Sequence, residues 1–246
     1  GRGVFSSELE EALLADQIDV AVHSAKDLTT EHPQGLELAA VLPRADPRDA
    51  WCGPHASLDE VPAGARVGTA STRRTAQLGA VRPDLTIEGL RGNIDTRLRK
   101  RGERGLAAIV LAACGLDRLG LDAEIGFRVS PDVMLPEVGQ GFIALQTRAA
   151  DAASLAPVGD AEGLRILRTE RAAAATFGGG CLAPVAAHAE TLGGGRIALR
   201  VWIGRPDGSD SAAARGEGDD PDALGRSIAE QALAAGGRSL LEEARA

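Results

Sequence analysis

The sequence predicts an α/β protein in which two sheets are linked by two chain crossings and a small α+β segment follows. Strand and helix patterns alternate from Trp51 to about Pro136, a rhythm typical of a parallel sheet. The proline-rich, charged stretch 43–50 and the glycine-bearing stretch 136–141 interrupt this rhythm as two crossings between domains would. With 246 residues, 44% of them apolar, the chain can build one large core or two to three small ones.

The N-terminal stretch predicts a helix and two strands. The helix runs from Ser6 to about Asp16, and Ser7 with Glu10 has the spacing of a capping box. The apolar run 20–22 predicts a buried strand of a parallel sheet, and a loop then leads to a second strand over 36–42.

The middle and C-terminal stretches continue with recognisable patterns. In the middle we expect strands over 66–68, 85–90 and 107–112, helices over 73–80 and 95–101, and a helical turn over 115–121. The strand 142–146 should rejoin the first sheet and leave a hinged cleft between two domains. The last part predicts a helix over 160–176, an antiparallel sheet of strands 185–190, 196–204 and 211–218, and a helix over 221–235.

Charge and composition narrow the function classes. A net charge of −8 and a pI near 5.1 argue against a general nucleic-acid binder, and no apolar run is long enough to span a membrane. Three widely separated cysteines without metal-site spacing favour a reducing, cytoplasmic location and no metal. Arginines clustered in an acidic chain indicate recognition of small carboxylate or phosphate anions.

The first candidate reacting centre is Lys26 beside Asp27. The pair follows the apolar run 20–22, and ligand crevices of open α/β sheets lie at the carboxyl ends of strands. Only two of the 27 basic residues are lysines, so placing one of them next to an aspartate is suggestive. The alternative is a solvated pair on an exposed loop. For His23, a hydrogen-bonded structural role is favoured over proton transfer.

Two strand-to-helix junctions carry arginines. Thr69-Ala-Ser71-Thr72-Arg73-Arg74 begins one helix, and Arg91-Gly92-Asn93 precedes another that carries Arg97. Cations in the first turn oppose the helix dipole, which indicates an anionic ligand at the free backbone N–H groups. The alternative is that the arginines are simply exposed to solvent.

Cys181 is the cysteine predicted to be accessible. It follows Gly178-Gly179-Gly180 on a turn between a helix and a strand, whereas Cys52 and Cys114 lie in apolar surroundings typical of core thiols. No histidine lies near Cys181 in sequence, so a covalent attachment point is favoured over a protease-like nucleophile.

These stretches resemble the porphobilinogen deaminase family over essentially the whole chain. The matching blocks, in the family's order, are AVHSAKDLTTEHPQGL, DPRDAW, VGTASTRRTAQL, RPDL, LRGNIDTRLRK, CGLDRLGL, LPEVGQG and ERAAAATFGGGCLAPVA. The resemblance implies two domains like those of type II periplasmic binding proteins and a third, small α+β domain. It places domain 1 at 1–43 and 140–159, domain 2 at 44–139 and domain 3 at 160–246. It also implies that a family strand and helix, with a further substrate-binding arginine and a serine, precede Gly1 and are missing here.

The resemblance further implies an activity and a cofactor. Four porphobilinogen molecules are deaminated and condensed head to tail on a covalent dipyrromethane, and hydroxymethylbilane is released. The dipyrromethane is attached by a thioether to Cys181, and Asp27 is the catalytic carboxylate, with Lys26 beside it. The remaining expected cofactor-binding residues are Ser24, Asp27, Thr69, Ser71, Arg73, Arg74, Arg91 and Gly92, and the expected substrate-binding residues are Arg73, Arg91, Arg97, Arg118 and Gln140. The implied protein is a cytoplasmic monomer that binds neither nucleic acid nor membrane.

Two other function classes remain open at this point. A non-enzymatic anion-binding module of the periplasmic type explains the two-domain pattern and the arginine cleft, but leaves Cys181 and the third domain unexplained. A phosphate-handling transferase would use the two helix N-termini, but it needs a metal or nucleotide motif, and neither Walker A nor GxGxxG is present.

Overall fold

The computed structural model describes residues 4–30, 32–178 and 183–244. The strands in these ranges are β1 Ala21–Ser24, β2 Leu36–Val41, β3 Asp49–Cys52, β4 Arg66–Gly68, β5 Thr86–Glu88, β6 Ala108–Ala112, β7 Phe127–Arg128, β8 Ile143–Arg148, β9 Val185–Gly193, β10 Arg196–Gly204 and β11 Ser211–Gly218. The α-helices are α1 Val4–Leu14, α2 Thr72–Val81, α3 Ile94–Glu103, α4 Ala113–Arg118, α5 Ala161–Thr176, α6 Pro221–Ala232 and α7 Arg238–Glu243. The chain has the α/β fold class predicted from its patterns.

The first sheet has the strand order β1-β8-β2. The prediction that the strand near residue 142 rejoins this sheet is confirmed, because β8 pairs with both β1 and β2. The prediction of a parallel sheet here is wrong, since both pairings are antiparallel. The β1 strand lies at the edge, and Val22 is 61% exposed rather than buried. A short apolar run does not distinguish a central strand from an edge strand.

The second sheet has the order β5-β4-β6-β3-β7. The parallel pairing predicted from the strand–helix alternation is confirmed for β4 with β5 and with β6. The two remaining strands, β3 and β7, run antiparallel to their neighbours and were not predicted. All four residues of β3 are buried, although β3 overlaps the proline-rich, charged stretch 43–50 that was predicted to be a crossing between domains.

The third sheet is antiparallel in the order β11-β10-β9, as predicted. Asp160 is the N-cap of helix α5, because its side chain accepts a hydrogen bond from Gly163 N. Helices α5 and α6 pack together against this sheet. Helix α6 ends earlier than predicted, at Ala232. A π turn with Gly236 at φ +114° then leads into α7, which was not predicted.

The first and third sheets share one hydrophobic core, whereas the second sheet has its own. One buried cluster extends from the first sheet through α5 to the third sheet, with Ala144, Leu167 and Leu199 fully buried. Two other clusters cover opposite faces of the second sheet. The second sheet is connected to the first through the crossing segments 42–48 and 129–142. None of the helices in the described part of the chain is long and apolar enough to cross a membrane.

Candidate active site

A cleft of about 770 Å³ opens beside the 3₁₀ turn Ala25–Asp27, which follows β1. The N-terminal turn of α2, residues of the loop before α3, and α5 provide its other walls. A second cavity of about 230 Å³ lies beside it, and Lys26, Arg74 and Arg97 line both. These two adjacent cavities together are the candidate site.

The lining of the larger cavity is strongly cationic. It contains six basic side chains and two carboxylates, namely Lys26, Arg73, Arg74, Arg91, Arg97 and Arg171 with Asp27 and Glu137. The predicted convergence of the arginines of both strand-to-helix junctions on one cleft with Asp27 is thus confirmed. In a chain whose net charge is −8, this lining concentrates positive potential where an anionic ligand would enter.

Asp27 is an exposed carboxylate within this cationic lining. No described residue donates a hydrogen bond to its side chain, which argues against a purely structural role bonded to Lys26 and the loop. Lys26 is half-buried. Burial and the neighbouring Arg74 lower the pKa of its ammonium group, and Glu137 and Asp27 partly offset this effect.

Arg73 and Arg74 share one buried counterion, Asp49. Arg73 Nη1 lies 2.7 Å from Asp49 Oδ2, and Arg74 Nη2 lies 2.7 Å from Oδ1. Asp49 is fully buried, and the two arginines are only 3% and 5% exposed. Burial alone would raise the pKa of Asp49, but the two guanidinium groups hold it well below its ordinary value.

This arrangement corrects the expectation for the first junction. The charge that offsets two cations at the N-terminus of α2 is Asp49, 24 and 25 positions away in the chain, and the helix cap is Ser71, which accepts from Arg74 N at 3.4 Å. An anionic ligand is therefore not required to stabilise this helix end. Sequence reasoning missed Asp49 because it assigned 43–50 to a crossing between domains. A lone acid at the start of the otherwise apolar run Asp49–Cys52 was the available signal.

Three buried guanidinium nitrogens have no hydrogen-bond partner in the described part of the chain, and two of them belong to arginines that line the cleft. Arg73 Nε and Arg97 Nε are buried, and neither makes a hydrogen bond. Burial and Arg74 also lower the pKa of Arg97. Buried polar groups are normally hydrogen-bonded, so these two cleft-lining arginines retain hydrogen-bonding capacity that no described residue uses.

The other predicted residues lie in different places. Ser24 and Arg118 line the smaller cavity, and Arg118 Nη2 donates to Gly141 O at 2.8 Å. Thr69, Gly92 and Gln140 line neither cavity. Gln140 is fully buried behind the wall, where its Nε2 donates to Pro47 O and Asp49 Oδ1 at 2.7 and 2.9 Å.

Glu170 fastens both crossing segments to α5. Its fully buried carboxylate accepts from Arg44 Nη1 at 2.8 Å, from Gly139 N at 2.7 Å and from Ala189 N at 2.9 Å. The Arg44 guanidinium also lies 4.6 Å from the centre of the Phe142 ring. Both crossing segments are thus anchored to the C-terminal part of the chain.

Arg171, a cleft cation that sequence reasoning did not assign, holds the loop after Asp27. Its Nη2 lies 2.8 Å from Thr29 O, 3.0 Å from Thr30 O and 2.8 Å from His32 Nε2. Burial lowers the pKa of Arg171 to about 10. Burial, Arg171 and His23 together lower the pKa of His32 to about 4, so His32 is neutral and accepts from Arg171. His23 Nε2 lies 3.0 Å from Gln146 Oε1, in keeping with its expected structural role.

The low pKa of His32 predicts a pH dependence of stability. Below about pH 6.5 the unfolded chain protonates this histidine whereas the folded chain does not, so stability falls as the pH drops from 6.5 towards 4. The shift corresponds to at most about 3 kcal/mol, which partial exposure reduces to about 1–2 kcal/mol. In urea unfolding between pH 4.5 and 7, His32→Gln should flatten this slope. His55→Gln, at a histidine that contacts Trp51 edge-on, should keep it. An unchanged slope in His32→Gln would contradict the assignment.

The cysteines differ in placement. Cys52 and Cys114 are buried, as predicted, and burial raises the pKa of the Cys52 thiol to about 12. Cys114 also lines the smaller cavity. Cys181, the expected attachment point, lies outside the described residues. Two described residues that flank it in the sequence, Phe177 and Ala183, line the larger cavity.

Solved structures that are similar to this chain include the following two. The methionine-binding protein MetQ is 16% identical with a TM-score of 0.38, and the similarity covers 66% of this chain and 73% of that one. YhfZ from Shigella flexneri is 17% identical with a TM-score of 0.30, over 70% of this chain and 77% of that one.

Comparison by sequence is far more specific. The chain is 50% identical to the porphobilinogen deaminase of Roseiflexus sp. (strain RS-1) and 44% identical to that of Thiobacillus denitrificans, covering 98% of this chain and 80% and 81% of those relatives. A family model described as the porphobilinogen deaminase dipyromethane cofactor binding domain matches residues 1–156, and one for its C-terminal domain matches residues 164–234. The chain therefore belongs to the porphobilinogen deaminase family.

Proposed function

We propose that this cleft carries out the stepwise deamination and head-to-tail condensation of four porphobilinogen molecules on a covalent dipyrromethane, releasing hydroxymethylbilane. Membership of the family gives the activity: a transferase of tetrapyrrole biosynthesis that joins pyrroles by carbon–carbon bonds. One observation supports assigning this activity to the cleft: Asp27 is an exposed carboxylate in a cleft with six basic side chains.

The lining fits a dipyrromethane. The acetate and propionate side chains of such pyrroles are carboxylates, and the unpartnered Arg73 Nε and Arg97 Nε are buried donors that need acceptors. In this proposal Arg73, Arg74 and Arg91 hold the cofactor together with Ser24 and Ser71, and Cys181 carries its thioether. Thr69 and Gly92 line neither cavity and contribute indirectly: Thr69 Oγ1 accepts from Ser71 N at 3.2 Å, and Gly92 adjoins Arg91. When bound, the dipyrromethane supplies the pyrrole carbon to which the first substrate is joined.

Asp27 acts electrostatically in this proposal. Positive charge develops on pyrrole nitrogens both when ammonia leaves porphobilinogen and when the next carbon–carbon bond forms. A carboxylate fixed at the end of β1 stabilises that charge and accepts or returns a proton from the pyrrole nitrogen. Lys26 is the second member of the pair, and its lowered pKa makes its ammonium a better proton donor than an ordinary lysine.

Substrate carboxylates are assigned to the remaining cations. We assign them to Arg73, Arg91, Arg97 and Arg118, which all line the site. Gln140 contributes indirectly, because it is buried and bonded to Asp49, the counterion of Arg73 and Arg74. The proposal includes a monomeric, cytoplasmic protein that acts on a small molecule without nucleic acid or membrane.

Intact-protein mass spectrometry tests the attachment point. Cys181→Ser should yield folded protein without the dipyrromethane mass, because serine offers no thiolate for the thioether. The control is Cys52→Ala, at a fully buried thiol whose pKa is raised to about 12, and it should retain the adduct. An adduct that persists in Cys181→Ser, or disappears in Cys52→Ala, would contradict the assignment.

A further inference from the structure

Helix α2 contains a glycine, Gly79, near its C-terminal end, although the helical backbone there does not require glycine. Gly79 lies in regular helix, where glycine costs about 1 kcal/mol relative to alanine. A Cβ atom at this position would lie 2.5 Å from Asp207 O, a backbone atom of another part of the chain. The glycine is therefore explained by the close approach of that backbone.

The approaching backbone also presents a glycine. Gly208 lies in the turn 205–210 between β10 and β11, with φ +79°. A Cβ atom on Gly208 would lie 2.4 Å from Ala76 O and 2.5 Å from Ala80 N. Two backbones thus touch through facing glycines, with no side chain between them.

The turn 205–210 is rigid enough to act as a spacer. Arg205 N donates to Asp210 O at 2.8 Å, and Gly208 N donates to Arg205 O at 2.9 Å. Asp207 Oδ1 accepts from both the backbone N and the hydroxyl of Ser209, at 3.0 and 2.7 Å. These bonds hold the turn in one shape, so its position follows that of the third sheet.

The contact joins the two walls of the cleft outside the cleft itself. On one side, α2 carries Arg73 and Arg74 into the site from its N-terminal turn, about one and a half turns before Gly79. On the other side, the part of the chain that forms the third sheet supplies Val185 to the opposite wall. An ion pair between Arg200 of β10 and Asp132, 2.5 Å from Nη1 to Oδ1, links the third sheet to the crossing segment 129–142 as well.

We propose that the contact between Gly79 and Gly208 is a spacer that sets the width of the cleft, and that both glycines are positioning residues for the anionic pyrrole ligand. The identity of that ligand rests on the proposed function. A side chain at either glycine must push α2 away from the third sheet and so move the arginine-bearing wall from the opposite wall.

The test compares Gly79→Ala with Gly102→Ala. Gly102 is also helical, in α3, and a Cβ there meets nothing within 4 Å. We expect Gly79→Ala to speed amide hydrogen exchange in 76–81 and 205–210, and to raise KM for porphobilinogen about 10-fold while kcat changes less than about 2-fold. Gly102→Ala should change neither exchange in these segments nor KM. In a second pair, Gly64→Ala is the control for Gly208→Ala. Both glycines have a positive φ, so alanine strains the backbone at either position, but at Gly64, with φ +75°, a Cβ meets nothing within 4 Å.

Each outcome decides the proposal. Unchanged exchange in both Gly79→Ala and Gly208→Ala would show that the contact does not constrain the two parts, and overturns it. Faster exchange and a lower melting temperature in these variants, with an unchanged KM, would show that the contact has only a structural role. This result would also overturn the proposal. The exchange measurement needs no turnover, so failure of the proposed activity in the unmodified protein is distinguishable from failure of the spacer.

Discussion

Asp27→Asn should lose at least about 100-fold in turnover while the protein remains folded. The substitution keeps the shape of the side chain but removes the negative charge that stabilises developing positive charge. Removing one preorganised electrostatic group of this kind typically lowers kcat by about 10²–10³-fold. The carboxylate is exposed and no described residue donates a hydrogen bond to it, so the free energy of unfolding should change by less than about 0.5 kcal/mol.

Asp27→Glu separates charge from geometry. It keeps the carboxylate but displaces it by one methylene, so turnover should fall between that of the unmodified protein and that of Asp27→Asn. The measurement is single-turnover formation of enzyme–pyrrole intermediates, with thermal melts on the same samples. Asp59→Asn, at an exposed aspartate that does not line the cleft, is the control and should behave like the unmodified protein. Near-normal turnover in well-folded Asp27→Asn would leave the site without its catalytic carboxylate.

Local patterns account for what the sequence predicted correctly. The helix from Asp160, the antiparallel third sheet and the parallel pairs of the second sheet follow from capping, alternation and turn residues, which act over a few positions. The neighbours of a strand are not encoded locally. For this reason the edge position of β1 and the antiparallel strand β3 were missed.

The candidate site shows the same limit. The arginines at two strand-to-helix junctions share a cleft because the carboxyl ends of β4 and β5, which are parallel neighbours, meet at one edge of the sheet. Their electrostatic environment could not be predicted, since the buried counterion Asp49 is brought to Arg73 and Arg74 by tertiary structure. Arg171 reaches the loop at Thr29 from a helix 142 positions further along the chain.

Asp49→Ala should produce the largest loss of stability among the variants considered. Removing this carboxylate leaves two guanidinium groups, only 3% and 5% exposed, without their shared counterion. Breaking a buried ion pair in this way typically costs about 3–5 kcal/mol. Because the pKa of Asp49 is held below its ordinary value, its contribution is fully present above about pH 4 and is lost only below that pH. This range lies below the pH range expected for His32.

The matched control for Asp49→Ala is Asp46→Ala. Asp46 lies in the same segment and also pairs with two arginines, Arg48 at 2.7 Å and Arg128 at 3.0 Å, but its side chain is 20% exposed. Solvent can replace those arginine contacts, so the loss should be about 1 kcal/mol or less. Urea unfolding at pH 7 measures both variants, and a double-mutant cycle of Asp49→Ala with Arg73→Leu should show that the second change costs less once the counterion is gone. If Asp49→Ala loses no more stability than Asp46→Ala, then the two guanidinium groups do not depend on Asp49. The wall of the cleft would in that case be held by its backbone contacts alone.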